Sequence, residues 1–256
     1  MKNKSARVLL YDLETSPIIS YNWGIWEQNA IEVIEDWQIL CFAYKWLDEK
    51  KIHIVSQDDM KGYKPGKLDD RLVVEQLRDL FDEANVIVAH NGNSFDQKKS
   101  QARMMTHKLT PPSSYQQIDT KVVAKRYGAF TSNKLDFLNR TFGFEGKMDA
   151  GGFATWKGCL AGDKKSWARM KKYNKKDIIE LEKLYLHLRP WMQNHPNMAN
   201  LQDRPSACPI CGKEGFMWAQ GIRYTKTGQY RRWQCKDCGA YSSQRKGEKD
   251  VAPNFA

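Results

Sequence analysis

Four cysteines in two CxxC pairs constrain this chain more than any other feature. They stand as Cys208-Pro-Ile-Cys211-Gly and Cys235-Lys-Asp-Cys238-Gly, with a strand-and-turn-like segment between them. Paired CxxC turns can place four sulfurs tetrahedrally around one ion. In a reducing cytosol that grouping points to metal rather than disulfides. A segment this short has too little apolar core to fold without its metal, and a closed set of four ligands is structural rather than catalytic. One structural Zn²⁺ is therefore expected, the same ligands also suiting an iron-sulfur cluster or a single iron. The remaining cysteines, Cys41 and Cys159, stand alone.

Ahead of this module, a chain of 256 residues with 41% hydrophobic composition has room for a sizeable domain of its own. Lysine and arginine outnumber aspartate and glutamate 41 to 30, a net charge of +11 that attracts phosphate backbones or acidic lipid. No run approaches the roughly 18 apolar residues of a membrane span, and the opening MKNKSARVLL lacks the apolar core of a secretion signal. The expectation is a cytoplasmic protein with no membrane partner. The charge is uneven: Arg204 to Asp250 holds ten basic and four acidic residues, +6 of the total. There Arg223, Lys226, Arg231 and Arg232 interleave with Tyr224, Tyr230 and Trp233, a composition suited to backbone contact with base stacking. The competing use is docking a protein such as a replication or repair factor.

Periodicity and punctuation give the organisation. Val8 to Leu13, Gln38 to Trp46 and Lys51 to Val55 read as strands, the last two as antiparallel neighbours. Leu68, Leu72, Val73, Leu77, Leu80 and Phe81 recur at helical spacing, and the apolar run Val86 to Ala89 suits a central strand. A helix is predicted over Phe95 to His107, before Pro111-Pro112 break the chain, and another through Leu135, Leu138 and Phe142. The last long helix is capped by Asp163, carries Trp167, Met170, Leu181, Leu184 and Leu188 inward, and stops at Pro190. Asn194 to Pro205 is polar and proline-punctuated, the expected linker.

Three groups of polar residues interrupt this framework. Asp12 and Glu14 end an apolar strand two residues apart, so their side chains project from one face, where a hard divalent cation can relieve their repulsion. By themselves they read better as an exposed surface pair, since DxE at a strand end is common at surfaces. His90-Asn91-Gly92-Asn93-Ser94-Phe95-Asp96 lies where a strand meets a helix, a place where ligands gather in α/β sheets and also where ordinary glycine turns occur. Tyr173 and Asp177 are four apart on the buried stripe of the last helix. A carboxylate there needs compensation from a metal or from Lys171, Lys172, Lys175 or Lys176.

Taken together, YDLET, HNGNSFD and YNKKD resemble the three motifs of the DEDDy exonucleases of the ribonuclease H-like superfamily, over Ala6 to Leu188. The five-residue step from Asn91 to Asp96 is similar to the proofreading domains of family B DNA polymerases, and the overall pattern to stand-alone phage and bacterial exonucleases. No polymerase motif is present. The resemblance implies an α/β domain with a mixed five-stranded sheet flanked by helices, and 3′ to 5′ hydrolysis of DNA, with RNA the alternative substrate. It implies two Mg²⁺ or Mn²⁺ ions. Asp12, Glu14 and Asp177 would hold the metal beside the attacking water, Asp12 and Asp96 would support the other, and Tyr173 would orient the water. Thr15 and Asn91 match positions near the terminal nucleotide. The cysteine module likewise resembles a zinc ribbon.

The expected arrangement is an exonuclease domain over 1–193, a linker over 194–205, a ribbon over 206–245 and a flexible tail over 246–256. The same ligands could serve a structure-specific endonuclease, and a nucleic-acid-binding adaptor would use the ribbon alone. Two features depart from the resemblance. Gln97-Lys98-Lys99 follows Asp96, and Pro17 to Trp37 inserts Tyr21, Trp23, Trp26 and Trp37, aromatics suited either to core packing or to stacking on unpaired bases. Lys147, beside Asp149-Ala150-Gly151-Gly152, suits either a phosphate contact or a solvated turn.

Overall fold

A computed structural model describes residues 6–26, 29–144, 149–226, 228–244 and 249–250; Lys147 lies outside them. The chain divides into two compact units, Arg7–Leu184 and the stretch from Tyr185 onward.

The first unit is built on β1 (Val8–Thr15), whose apolar VLLY run is buried on both faces before the carboxylates appear. An exposed hairpin, β2 (Ile19–Tyr21) and β3 (Glu32–Glu35), follows. β4 (Ile39–Trp46) then pairs antiparallel with β1, and β5 (His53–Ser56) with β4. After α1 (Arg71–Glu83), β6 (Val86–Ala89) adds parallel to β1. After α2 (Asp96–Thr106), β7 (Gln116–Asp119) adds parallel to β6. The result is a mixed five-stranded sheet of order β5-β4-β1-β6-β7, as expected. Helices α3 (Thr120–Tyr127), α4 (Leu135–Thr141), α5 (Phe153–Leu160) and α6 (Lys164–Leu188) follow, the last running on into the second unit.

Strand alternation sorts the core. Leu9, Tyr11 and Leu13 meet Val73, Val74, Leu77 and Phe81 of α1 in one cluster. Leu40 and Cys41 of β4 meet Cys159 of α5 and Trp167 and Met170 of α6 in another. Each large side chain removed from water here contributes roughly 2 kcal/mol. Cys41 and Cys159 are core thiols, and burial pushes Cys159 up to about 12. Asp163 caps α6 as the sequence suggests, its carboxylate accepting from Ser166 N–H at 2.8 Å. The fully buried Asp70 accepts from Nε and Nη2 of Arg103 (2.7 Å each) and from the Ile39 N–H (2.9 Å), with His107 Nε2 at 2.6 Å. This network ties the start of α1 to α2 and β4.

In the second unit, the expected linker 194–205 is partly helical. It carries α7 (Met198–Leu201), capped by Asn197, and Met198 N–H donates to Pro209 O of the first CxxC turn at 2.8 Å. Met198, Ala199 and His195 are buried. The His195 ring donates from Nδ1 to Pro196 O (2.7 Å), leaving Nε2 to accept from Tyr185 OH (2.9 Å). Polarity and prolines mark a break in long elements, but buried Pro196, Met198 and Ala199 suffice to dock one turn. β8 (Met217–Tyr224) pairs antiparallel with β9 (Gly228–Cys235), and β10 (Tyr241–Ser243) and β11 (Lys249–Asp250) follow one another along the other edge of β9. Of the expected flexible tail, Lys249 and Asp250 are described, and their backbone is paired in β11.

Candidate active site and cysteine centre

The carboxylates converge from two elements. β1 carries Asp12 and Glu14 on the face opposite Leu13, and a β-bulge at Glu14/Thr15 disturbs its pairing with β4 just there, a placement common beside functional sites. α6 presents Asp177 one helical turn after Tyr173. One carboxylate oxygen from each of Asp12, Glu14 and Asp177 lies within 4.8 Å of the others. Three like charges this close repel unless cations or protons compensate them, and hard oxygen donors suit Mg²⁺ or Mn²⁺. Lys171 on the same helix is committed elsewhere, reaching Asp58 at 2.8 Å and Asp59 at 2.7 Å.

Asn174, fully buried on α6, was not singled out in the sequence, yet its Nδ2 donates to the Asp12 carboxylate at 2.6 Å and to Asp12 O at 3.2 Å. It fixes the Asp12 carboxylate within the trio. Tyr173 is nearly buried, with Trp156 edge-on at 6.5 Å. Burial first, then the charges of Asp177, Glu14 and Asp12, hold its phenol well above the usual tyrosine range. A phenol held protonated donates a hydrogen bond and does not abstract a proton.

Asp96 is the first residue of α2, which alone would be an ordinary helix start. Instead it is buried, and its Oδ1 accepts from the N–H of Leu13, between Asp12 and Glu14, at 3.1 Å. That N–H falls on the side of β1 that β6, paired only as far as Leu10, no longer covers. Burial pushes the carboxyl up to about 7, the charge of Asp119 adding to the rise. Asp96 is not within the tight trio, so it bears on the site through the β1 backbone.

Asp119, also unforeseen, organises the HNGNSFD turn. Ending β7, it accepts from Asn91 N–H (2.9 Å) and Asn93 N–H (3.1 Å) while capping α3 through Lys121 N–H (2.9 Å). Asn91 sits at φ 70°, where asparagine is tolerated better than most residues. At Gly92 any Cβ would lie 2.7 Å from the Cβ of Ala89, so the turn requires glycine. Asn91 Oδ1 accepts from Lys121 Nζ at 3.0 Å, and Thr15 is half-buried beside the bulge. Asp119→Ala leaves these part-buried N–H groups without their acceptor and is expected to lower stability by about 2 kcal/mol. Urea denaturation measures this, and an unchanged midpoint would contradict the role.

Of the insertion's aromatics, Tyr21, Trp23 and Trp26 are exposed and Trp37 packs against the core cluster. Trp23, Ile25 and Trp26 are 91, 87 and 81% exposed, whereas Trp37 lies under Lys99 Nζ at 3.6 Å.

The four cysteine sulfurs lie within 4.8 Å of one another. Cys208 and Cys238 are 3.8 Å apart, as are Cys211 and Cys235, far too long for disulfides. It matches the separation of about 3.8 Å that tetrahedral bonds of about 2.3 Å to zinc produce. The two turns repeat each other: Cys208 N–H donates to Lys213 O and Gly212 N–H to Cys208 O, as Cys235 N–H does to Ala240 O and Gly239 N–H to Cys235 O. Gly212 and Gly239 both have positive φ, which is why a glycine follows each CxxC. The donor set fits a structural zinc.

The expected nucleic-acid residues of this unit do not form one surface. Alternation along β9 puts Arg232 on one face and Arg231 with half-buried Trp233 on the other. Arg223, paired with Tyr230, shares the Arg232 face, its Nη1 3.4 Å from Ser243 Oγ. Lys226 is exposed in the β8–β9 turn.

Among the described residues no helix is long and apolar enough to cross a membrane. Among curated proteins, none matches this sequence significantly. Among solved structures, a family B DNA polymerase from the archaeon Pyrobaculum calidifontis matches at 15% identity and a TM-score of 0.47, covering 72% of this chain and 25% of the polymerase chain. A model of the RNase_H superfamily matches residues 27–189, more than half of the chain, starting after β1. Asp12 and Glu14 precede that stretch, and β1, which carries them, is the central strand of the mixed sheet. On that match the chain belongs to the RNase H superfamily.

Proposed function

We propose that the protein is a DEDDy-type, divalent-metal-dependent 3′ to 5′ exonuclease that hydrolyses DNA at single-stranded or frayed 3′ ends. The observation that carries this reading is the meeting of Asp12 and Glu14 from β1 with Asp177 from α6, one helical turn after Tyr173. Direction and the preference for DNA rest on the sequence resemblance to proofreading domains.

Bound Mg²⁺ or Mn²⁺ would supply Lewis-acid activation of water and neutralise the leaving 3′ oxygen. Asp12, Glu14 and Asp177 would hold one ion, and Asp12 with Asp96 would support the second. Asn174 keeps the Asp12 carboxylate in place through a 2.6 Å bond. Tyr173, as a hydrogen-bond donor, would orient the attacking water on the scissile phosphorus. Thr15 and Asn91 would contact the terminal nucleotide. The four-cysteine unit, holding zinc through Cys208, Cys211, Cys235 and Cys238, would raise the effective concentration of substrate at the site.

The test uses circular single-stranded DNA beside its linear form, with Mg²⁺ or Mn²⁺. An exonuclease shortens the linear molecule and leaves the circle intact; nicking of the circle would replace the proposal with an endonuclease.

A further inference from the structure

The face of the C-terminal sheet that carries Arg232 has a pattern the sequence cluster conceals. Trp218 pairs with Gln234, and Gln234 with Tyr241 across the other edge of β9, so both rings share this face with Arg232. They are exposed by 43 and 54%. Each ring lies against a cation: Lys236 Nζ is 5.1 Å from the Trp218 centroid, and Arg232 Cζ is 5.2 Å from that of Tyr241. Phe216, two residues before Trp218, repeats the arrangement with Lys213 Nζ at 5.8 Å, a lysine that also pairs with Asp237. Arg223 and Tyr230 extend the row. Strands β8 to β10 contain no acidic residue.

We infer that this face binds single-stranded nucleic acid, bases stacking on Trp218 and Tyr241 while Arg232, Lys236 and Arg223 meet the phosphates. Flat rings interleaved with cations match a strand whose bases are unpaired; in a duplex the base faces are covered, and only the phosphates remain to be read. Stacking reads neither sequence nor the 2′-hydroxyl, so DNA and RNA are both accepted. The opposite face, with Met217 and Cys235 turned into the cysteine cluster, is the structural side. The inference rests on the reading of the protein as nucleic-acid-binding and is independent of the carboxylate site.

Binding is measured by fluorescence anisotropy of an oligothymidylate of about twenty nucleotides, using full-length Asp12→Ala protein so that the probe survives, without chelator so that zinc stays bound. Combining Trp218→Ala with Tyr241→Ala is expected to weaken binding about tenfold to a hundredfold. Arg231→Ala, on the opposite face, should change it less than about threefold. Should the double variant lose zinc, Arg232→Gln serves instead and should lower the salt slope by about one. Unchanged binding in the double variant, or an unchanged slope in Arg232→Gln, overturns the inference. So does a blunt duplex bound as tightly as the single strand by the parent. Failure of the exonuclease reading shows separately, as a wild-type protein that binds the probe and never shortens it with Mg²⁺ or Mn²⁺.

Discussion

Protein carrying Asp12→Ala is expected to hydrolyse DNA slower by on the order of a thousandfold or more, while binding the same strand as before. Asp12 is the one carboxylate both metals would share, and the fold fixes it through Asn174 Nδ2 at 2.6 Å. Removing it would withdraw a ligand from each of the two ions that the site is proposed to hold. A bound cation lowers the barrier by several kcal/mol, and each 1.36 kcal/mol is about tenfold in rate. Folding should not suffer, since Asp12 is only half-buried and removing one of three crowded carboxylates relieves repulsion. Steady-state hydrolysis, with binding measured on the same preparation, checks this. Wild-type rates in the variant would mean that the cluster is structural.

The second large effect concerns the cysteine unit. Its apolar cluster consists of Cys208, Ile210, Cys235 and Ala240, with Cys211, Met217 and Cys238 packed against it. Four of those seven side chains are the ligands themselves. Without metal, the cluster has three apolar side chains left to oppose the backbone entropy of folding, at roughly 1–2 kcal/mol per residue. Metal binding would therefore supply the folding free energy of this unit, apparent values for such sites being about 10–16 kcal/mol. Cys208→Ser, or withdrawal of zinc by a chelator, is expected to open the 206–245 region to protease while Arg7–Leu184 stays resistant. The first unit has its own two apolar clusters and no cysteine ligand. Limited proteolysis of the full chain reads both halves at once. Resistance that persists in 206–245 after zinc loss would contradict the account.

What could be read from the residues depended on how much each signal relied on neighbours in sequence. Val8–Thr15, Ile39–Trp46 and Val86–Ala89 show themselves as apolar runs because central strands are buried on both faces. α6 shows itself through a long inward stripe and an aspartate cap. The pairing of Tyr173 with Asp177 was legible for the same reason, helical spacing putting them on one side. β7 was missed because Gln116-Gln117 give a short edge strand no apolar run, and Asp119 then looks like any helix cap. Its second task, accepting from a turn 26 and 28 residues away, leaves no local trace. Asn174 is hidden among lysines in YNKKD, its value set by a strand 162 residues distant. In the cysteine unit the basic and aromatic residues were correctly found to be dense, but proximity in sequence joined residues that alternation separates. The register shift between Ala219 and Ile222, at Gly221 with its positive φ, further scrambles which side chains share a face.

The central claim, that this is a metal-dependent enzyme removing nucleotides from 3′ ends, is tested most directly by one gel. Single-stranded DNA labelled at its 5′ end is incubated with the full chain and Mg²⁺ or Mn²⁺, alongside a reaction from which divalent ions are withheld. A ladder that shortens one nucleotide at a time, with the label kept on every product, and that vanishes without divalent ions, is the expected result. Immediate release of the label as a mononucleotide, or an intact strand with either ion, would contradict it.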